Sequence, residues 1–331
     1  MMYKKILVPI DNSEYSNYCA DIAVRLAERM GSQLTGSHVY SAVLHDRRFK
    51  DMEGGLPEHC QQEERLKRSR TIHNSLITDG LRSISAAYLD PFKKKCLEAG
   101  VPFECKIMEG KNWLELVRDV RNNPYDLIIM GILGLGTVNG SLIGGVCERV
   151  VRKVNTDVLV VKNNRSIQDR AVVAIDGSSH SFFAFQKALG LGRLFNLEIE
   201  AIAVYDPHFH RRAFKALTGI LSESPGEKFR FHDQEKLHDE IIDDGLEKIY
   251  QGYLQEAVAI GVREGIEIKT TLLSGKAYHE IYKYLQTDPP ALLVISRFGA
   301  HRVDELDIGS TAENLLRLAP CNVLLTHNSG I

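Results

Sequence analysis

The chain has 331 residues, of which 41 are Lys or Arg and 43 are Asp or Glu, so its formal net charge is −2. This length predicts two domains, each large enough to bury its own core. A hydrophobic fraction of 44% and a charged fraction of 25% exclude a disordered or fibrous chain, and the balanced charge argues against a nucleic-acid partner.

Neither a membrane partner nor export is predicted. The chain has no run of about 18 apolar residues that would cross a bilayer, and its first residues are typical of a strand rather than of a signal peptide. Six scattered cysteines without a CxxC pair favour reduced thiols over a disulfide framework. We therefore expect a cytoplasmic protein.

The sequence matches itself at a constant offset of 165 residues. Asp11 matches Asp176, and the same shift pairs identical residues along the chain: Ser13/Ser178, Tyr40/Tyr205, Gly110/Gly275, Gly134/Gly299 and Gly144/Gly309. Because one shift without gaps pairs residues from end to end, the chain is a duplicated domain. The polar segment 162–169 separates the copies, which predicts domains at residues 1–162 and 170–331.

Strand-like and helix-like segments alternate within each copy. The first copy predicts strands at 5–10, 33–39, 103–108, 126–130 and 157–161, and helices at 16–30, 72–99, 112–121 and 144–153. Gly31 and Gly100 follow two of these helices, where a left-handed residue would end them. The second copy repeats the strands at 171–175, 198–204, 267–273, 291–295 and 322–326. This alternation predicts an α/β fold with two doubly wound, Rossmann-like parallel-sheet domains in tandem.

An aspartate follows the first predicted strand of each copy, at Asp11 and Asp176. In doubly wound sheets, ligands collect beyond the carboxyl ends of the strands. A carboxylate there either accepts hydrogen bonds from a ligand amine or hydroxyl, or caps the next helix. The pattern leaves both roles open.

A glycine-rich loop follows the fourth predicted strand, with Gly131, Gly134 and Gly136 leading to Gly144 and Gly145. Glycine allows close approach of the backbone to a ligand, and the following helix start offers unpaired N–H groups to an anion. The loop is thus either a phosphate site or a simple chain reversal. Its spacing is neither GxxxxGKS/T nor GxGxxG, which disfavours a P-loop motor or a dinucleotide oxidoreductase.

These features together resemble the universal stress protein family. The resemblance rests on the first-strand aspartate, on the spacing Gly131-x2-Gly134-x9-Gly144, and on the following helix with Glu148-Arg149-Val150. The second copy resembles the family through Asp176-Gly177-Ser178 and Gly299-x9-Gly309-Ser310-Thr311. The likeness covers nearly the whole chain in two tandem copies.

The resemblance implies binding of an adenine nucleotide (ATP, ADP or AMP, with or without Mg²⁺) at the strand ends. Asp11, beside Pro9 and Ile10, would hold the adenosine part, and the main chain near Val39 would contact adenine. The ribose and phosphates would lie among Gly131, Gly134, Gly144, Gly145 and Val146. The matching residues of the second copy are Asp176, Gly299, Gly309, Ser310 and Thr311.

Each copy departs once from the family's glycine pattern. The first copy has Gly145 where a hydroxyl residue is usual, and loses one hydrogen bond. The second copy has Ser296 at the first glycine, where a Cβ would crowd the ribose or spoil a positive φ, although His301 and Arg302 offer charged donors to phosphates. We therefore expect the better site in the first copy.

Histidines recur in the long segments 41–70 and 206–236 and beyond them, as His45/His210 and His73/His238. They are interpreted as a metal site, as a basic edge that guides phosphates or a protein partner, or as groups packed on the parent sheet. No tight ligand spacing favours the metal, and no metal site is predicted. No GxSxG or HExxH motif is present, so no catalytic residues are predicted and ATP hydrolysis would at most be slow.

The leading hypothesis is a stress-response, nucleotide-binding module. The alternatives are a nucleotide-free scaffold that holds an unknown protein partner through the inserts, and a slow phosphohydrolase. Strands 157–161 and 322–326 are predicted to pair across the copies, since pairing covers an exposed edge and, in single-copy relatives, such strands commonly form the dimer contact. The chain would then be an intramolecular pseudo-dimer with a pseudo-twofold axis, with a further homodimer left open. The functional interpretation requires bare main-chain amides around Gly134 and Gly144 that lie close to Asp11.

Overall fold

The computed structural model describes residues 2–55, 57, 62–207, 243–300 and 307–328. The chain divides into two compact units, Met1–Asn164 and Arg165–Ile331. The division falls inside the polar segment 162–169. Among the described residues, no helix combines the length and the apolarity needed to cross a membrane.

The first unit is a parallel sheet with interleaved helices. Its strands are β1 (Lys5–Pro9), β2 (Gln33–Tyr40), β3 (Phe103–Glu109), β4 (Leu127–Gly131) and β5 (Asp157–Val161). Its helices are α1 (Glu14–Met30), α2 (Ala42–Met52), α3 (Glu63–Glu98), α4 (Asn112–Asn122) and α5 (Gly145–Lys153). The strand order is β3-β2-β1-β4-β5. The order reverses between β1 and β4, and ligands bind at such a switch point.

The second unit repeats this arrangement. Its strands are β6 (Arg170–Ala174), β7 (Glu198–Tyr205), β8 (Ile268–Ser274), β9 (Leu292–Ser296) and β10 (Asn322–Thr326), in the order β8-β7-β6-β9-β10. Its described helices are α6 (Ser179–Phe195), α7 (Asp243–Arg263), α8 (Ala277–Thr287) and α9 (Ser310–Leu318). All five strands begin and end 165 positions after their counterparts, as do α6, α8 and α9. The predicted duplication is therefore seen in the first and last residue of each of these elements.

The core of each unit lies on both faces of its sheet. All five residues of β5 and all five of β10 are buried, as are the first four residues of β4 and of β9. Burial without alternation is what a parallel sheet covered by helices on both sides requires. The predicted α/β, doubly wound fold class is confirmed.

Local sequence signals mark the ends of two helices in the first unit. The Ser13 hydroxyl accepts a hydrogen bond from the Ser16 amide at the start of α1, and Gly31, with φ of 67°, ends that helix. Gly100, with φ of 65°, follows α3. Both predicted glycine stops are thus confirmed, because a residue without Cβ adopts the left-handed conformation at little cost.

In the first unit, the long segment after β2 forms α2 and the start of α3. Helix α3 begins at Glu63, nine residues before the predicted start. Arg70 on this added part donates two hydrogen bonds to Glu53, at 2.6 and 2.5 Å. The matching segment of the second copy lies outside the described residues from position 208 to 242.

Candidate functional site

A cavity of about 430 Å³ lies beyond the carboxyl ends of β1, β2 and β4 in the first unit. This volume is within the usual range for small-molecule sites. All nine residues predicted for the first copy line it: Pro9, Ile10, Asp11, Val39, Gly131, Gly134, Gly144, Gly145 and Val146. The fold therefore brings together at one place residues that are up to 137 positions apart in the sequence.

Asp11 connects the two loops that border this cavity. Its Oδ1 accepts a hydrogen bond from the Ser13 amide at 3.0 Å, and its Oδ2 accepts one from the Leu135 amide at 3.1 Å. Of the two roles left open for Asp11, helix capping is wrong, because Ser13 occupies the N-cap position. A Cβ on Gly134 would lie 2.5 Å from Asp11 Oδ2, so a side chain at residue 134 would displace the carboxylate.

The predicted proximity of the glycine loop to Asp11 is confirmed, but the amides of Gly134 and Gly144 are not bare. The Gly134 amide donates to Thr137 Oγ1 at 3.0 Å, and that hydroxyl donates to the Gly134 carbonyl at 2.7 Å. The Gly144 amide donates to the Ile132 carbonyl at 2.7 Å. The loop uses these two amides to fix its own turns, and their contact with a phosphate stays a prediction.

Helix α5 supplies the main-chain donors instead. Its first helical hydrogen bond runs from the Glu148 amide to the Gly144 carbonyl at 3.0 Å. The amides of Gly145, Val146 and Cys147 precede that bond and have no acceptor within the helix. All three residues line the cavity. The positive end of the α5 dipole is therefore directed at the cavity.

Arg149 brings a permanent positive charge to the same place. Its side chain lines the cavity, and its Nη1 donates to the Gly145 carbonyl at 3.2 Å. A Cβ on Gly145 would lie 3.2 Å from this Nη1, so the missing side chain gives the guanidinium room. Arg149 was expected only as part of a family pattern, and this role was not predicted. Its position one helical turn after Gly145 was the available signal.

A second group that the sequence analysis missed lies where β2 meets α3. His38 Nδ1 lies 2.8 Å from the Ser85 hydroxyl, and the ring of Tyr88 packs edge-to-face on His38 with 5.3 Å between centroids. His38 and Tyr88 line the cavity beside Val39. Burial lowers the pKa of His38, and the nearby Asp11 carboxylate opposes this shift. The spacing of Ser85 and Tyr88, three residues apart on one helix, was the signal for a shared face.

The second unit has a smaller cavity of about 250 Å³ at the equivalent place. The five residues predicted for the second copy line it: Asp176, Gly299, Gly309, Ser310 and Thr311. The aspartate connection is repeated there, because Asp176 accepts hydrogen bonds from the Ser178 amide at 3.0 Å and from the Ala300 amide at 2.7 Å.

Tyrosines fill part of this second cavity. Tyr250 lines the cavity at the position matching Ser85, and its ring packs on Tyr253 with 5.4 Å between centroids. The Tyr253 ring in turn lies against Gly177, so closely that a Cβ on that glycine would overlap it. Burial and the nearby Asp176 carboxylate raise the pKa of Tyr250. The space available to a ligand is reduced accordingly.

The two copies differ at the first glycine position, which is Gly131 in the first and Ser296 in the second. Gly131 is absent from the residues with positive φ, so φ does not demand a glycine there. A Cβ on Gly131 would lie 2.6 Å from the Cβ of Tyr15, which means that the close approach of α1 requires it. Ser296, its counterpart, donates its hydroxyl to the Phe298 carbonyl at 2.7 Å. His301 and Arg302 lie outside the described residues.

No metal centre is evident in the part of the chain that the structure describes: it contains no group of three His, Cys, Asp or Glu side chains that could hold a metal ion. The side chain of His45 and all of His210 and His238 lie outside that part. The interpretation of the repeated histidines therefore stays a prediction.

The comparison with known proteins gives a consistent family. The sequence model of the Universal stress protein family matches the chain twice, at residues 2–162 and 168–327. Universal stress protein MJ0531 of Methanocaldococcus jannaschii is 29% identical over 161 residues, which are 49% of this chain and 83% of that protein. Universal stress protein YxiE of Bacillus subtilis is 27% identical over 161 residues, which are 49% of this chain and 100% of that protein.

A solved structure extends the likeness of fold to the whole chain. The crystal structure of a universal stress protein from Archaeoglobus fulgidus covers 97% of this chain and 97% of its own, with a TM-score of 0.64 and 18% sequence identity. At that identity the likeness concerns the fold alone.

Proposed function

The chain belongs to the universal stress protein family, as two tandem copies of its domain, and on this basis we propose that its first unit binds an adenine nucleotide beyond the ends of β1, β2 and β4. The observation that carries the proposal is a single cavity with an anion-attracting end and a partly apolar end. Asp11 lies at the loop that joins them.

The anion-attracting end is formed by α5 and Arg149. The first amides of α5 and its dipole favour negative charge, and the Arg149 guanidinium adds charge-assisted hydrogen bonds. These groups take the place that the family resemblance gives to the ribose and phosphates. The missing hydroxyl at Gly145 is offset here, because the space that it leaves is used by Arg149.

The partly apolar end is formed by the end of β2, by α3 and by α4. Val39 is buried, and the ring of Tyr88 and the apolar Leu116 line the same space. A purine has two flat faces and a polar edge, so it suits a site with aromatic and aliphatic walls and main-chain groups at one side. The main chain at Val39 provides those groups.

The second unit is the weaker candidate for the same ligand. Its cavity has about 250 Å³ instead of 430 Å³, with Tyr250 inside it. At the position of Arg149 stands Asn314, whose side-chain amide donates to the Ser310 carbonyl at 2.8 Å. Among the described residues, the second unit therefore has no cation on the first turn of α9.

The proposal is for binding rather than for rapid catalysis. Asp11 is the acidic side chain of the first cavity, and both of its oxygens already accept main-chain hydrogen bonds. A carboxylate held in this way is poorly placed to act as a general base toward water. We expect hydrolysis of bound ATP to be slow compared with its release.

Titration calorimetry of the full chain with ATP, ADP and AMP tests the proposal. We expect one strong site per chain. Arg149→Ala should weaken ATP binding by at least about tenfold, because it removes a charge-assisted hydrogen bond, while the matched variant Asn314→Ala leaves the affinity unchanged. Absence of binding by the unaltered chain would overturn the proposal and favour the nucleotide-free scaffold. Equal effects of the two variants would show that the first unit is not the main site.

A further inference from the structure

The contact with Ser85 determines which ring nitrogen of His38 carries the proton. Ser85 is completely buried, and its hydroxyl donates to the Leu81 carbonyl at 2.7 Å. A serine hydroxyl has one proton, so the short contact of 2.8 Å between Ser85 Oγ and His38 Nδ1 requires the histidine to donate. The ring proton of His38 therefore lies on Nδ1.

The other ring nitrogen is left as an acceptor. With Nδ1 protonated and the ring neutral, Nε2 carries a lone pair. Among the described residues, Nε2 has no hydrogen-bond partner, although the side chain borders the cavity. The edge of Tyr88 holds the ring in place, so the acceptor has a defined direction.

We propose that His38 is a specificity-determining residue, whose Nε2 accepts a hydrogen bond from the 6-amino group of the bound base. The inference rests on the proposed function, since it assumes that a purine lies beside Val39. A 6-aminopurine offers a donor to this acceptor. A 6-oxopurine offers a carbonyl oxygen instead, so two acceptors face each other and both lose their hydrogen bonds with water.

The second unit has exchanged both members of this pair. Ala203 stands at the position of His38, and Tyr250 stands at that of Ser85. A small residue has replaced the histidine, and a large one has replaced the serine, as is expected of two side chains that share one space. The histidine acceptor belongs to the first unit, and base selection is expected of that unit alone.

Competition between ATP and ITP isolates the 6-position, because the two nucleotides carry the same ribose and triphosphate. By calorimetry on the full chain we expect ATP to bind about tenfold more tightly than ITP. His38→Asn retains a donor near Nδ1 but has no atom near Nε2, so the preference should fall to about twofold or less. His38→Gln places an amide oxygen near the Nε2 position and should retain part of the preference.

The outcomes separate this inference from the proposed function. Equal affinity of the unaltered chain for ATP and ITP, with binding still dependent on Arg149, overturns the role of His38 and leaves nucleotide binding intact. A full ATP preference in a folded His38→Asn variant, as judged by its thermal unfolding, also overturns it. Failure of the unaltered chain to bind either nucleotide overturns both.

Discussion

The carboxylate of Asp11 accepts a hydrogen bond from the main-chain amide of Leu135 at 3.1 Å, across 124 positions of sequence. Asp176 and Ala300 repeat this contact at 2.7 Å, across the same separation. The loop after the first strand and the glycine loop are thus held together in both units. Because the contact needs no ligand, an aspartate variant would change the shape of the cavity as well as any direct contact with a nucleotide.

Gly134→Val tests the connection more directly than removal of the aspartate does. The new side chain would begin 2.5 Å from Asp11 Oδ2, so it would push the carboxylate out of place and narrow the cavity. We expect the affinity for ATP to fall by more than about tenfold. The midpoint of thermal unfolding should change little, since the atom displaced is the end of an intermediate-exposure side chain.

Gly299→Val is the matched control, because the second unit has the same close approach of Asp176 to this glycine. It should leave ATP binding to the first unit unchanged in calorimetry. If both valine variants reduced affinity equally, the two cavities would contribute alike. If neither did, the glycine loop would not be part of the nucleotide site.

The arrangement of strands was readable from the sequence because β1, β4 and β5 and their copies are short apolar runs. The bounds of β5 and β10 agree with those predicted, and each of the other predicted strands differs by one residue at one or both ends. The start of α3 was missed because residues 63–71 are mostly polar and exposed. What supports them is the contact of Arg70 with Glu53, and such a pair between distant residues gives no local periodicity.

The features of the site that were missed depend on tertiary contacts. Glycine spacing located the loop, but it did not show that Thr137 already occupies the amide of Gly134. His38 and Ser85 are 47 positions apart, and only the packing of α3 on β2 reveals that they meet. Residue types can therefore locate a cavity, whereas the orientation of its donors and acceptors requires coordinates.

A buried glutamate in the second unit predicts acid sensitivity. Glu200 is fully buried and accepts hydrogen bonds from Arg170 Nη1 at 2.7 Å, from Thr271 Oγ1 at 2.7 Å, and from the Tyr284 hydroxyl. Burial alone would raise the pKa of Glu200, but the hydrogen bonds from Thr271 and Tyr284 and the positive charges of Lys269 and Arg170 outweigh it, so the pKa is lowered.

The sign of the pH effect follows from this lowered pKa. Ionised Glu200 stabilises the folded state fully above its pKa in the unfolded state, which is about 4.3. This stabilisation is lost as the pH falls through the lower pKa of the folded state. Glu200→Ala should reduce the free energy of unfolding at pH 7 by about 1–3 kcal/mol, because it removes the buried acceptor of Arg170 Nη1, while Arg170 Nη2 keeps its contact with Asp288. Urea unfolding at pH 7 and at pH 3 measures both effects. Glu198→Ala, at an exposed position of the same strand, should change stability little, and equal losses in the two variants would contradict the prediction.

The base preference assigned to His38 should depend on pH. The partly buried ring of His38 has a lowered pKa, so it is neutral at pH 7 and becomes charged only below its usual value of about 6.5. Protonation turns Nε2 from an acceptor into a donor, which suits a 6-oxo group. The ATP-to-ITP ratio of affinities should therefore stay constant from pH 8 to about pH 6.5 and fall at lower pH.

The ionisable side chains around His38 in the cavity are Asp11, from the loop after β1, and Tyr88, on α3. The triphosphate titrates alike in ATP and ITP, so the ratio cancels its contribution. His38→Gln supplies the control, since its amide does not titrate and its ratio should be independent of pH. A ratio that falls equally in both proteins would assign the effect to Asp11 instead.

The pairing of β5 with β10 remains a prediction, and hydrogen exchange can test it. Within the first unit, β5 pairs with β4, and within the second, β10 pairs with β9. In a strand paired on one side only, alternate amides point to solvent and exchange quickly, whereas a strand paired on both sides protects every amide. We expect slow exchange at consecutive amides of Asp157–Val161 and of Asn322–Thr326 in the full chain. Alternating fast and slow amides in either strand would show a free edge and contradict the pseudo-dimer.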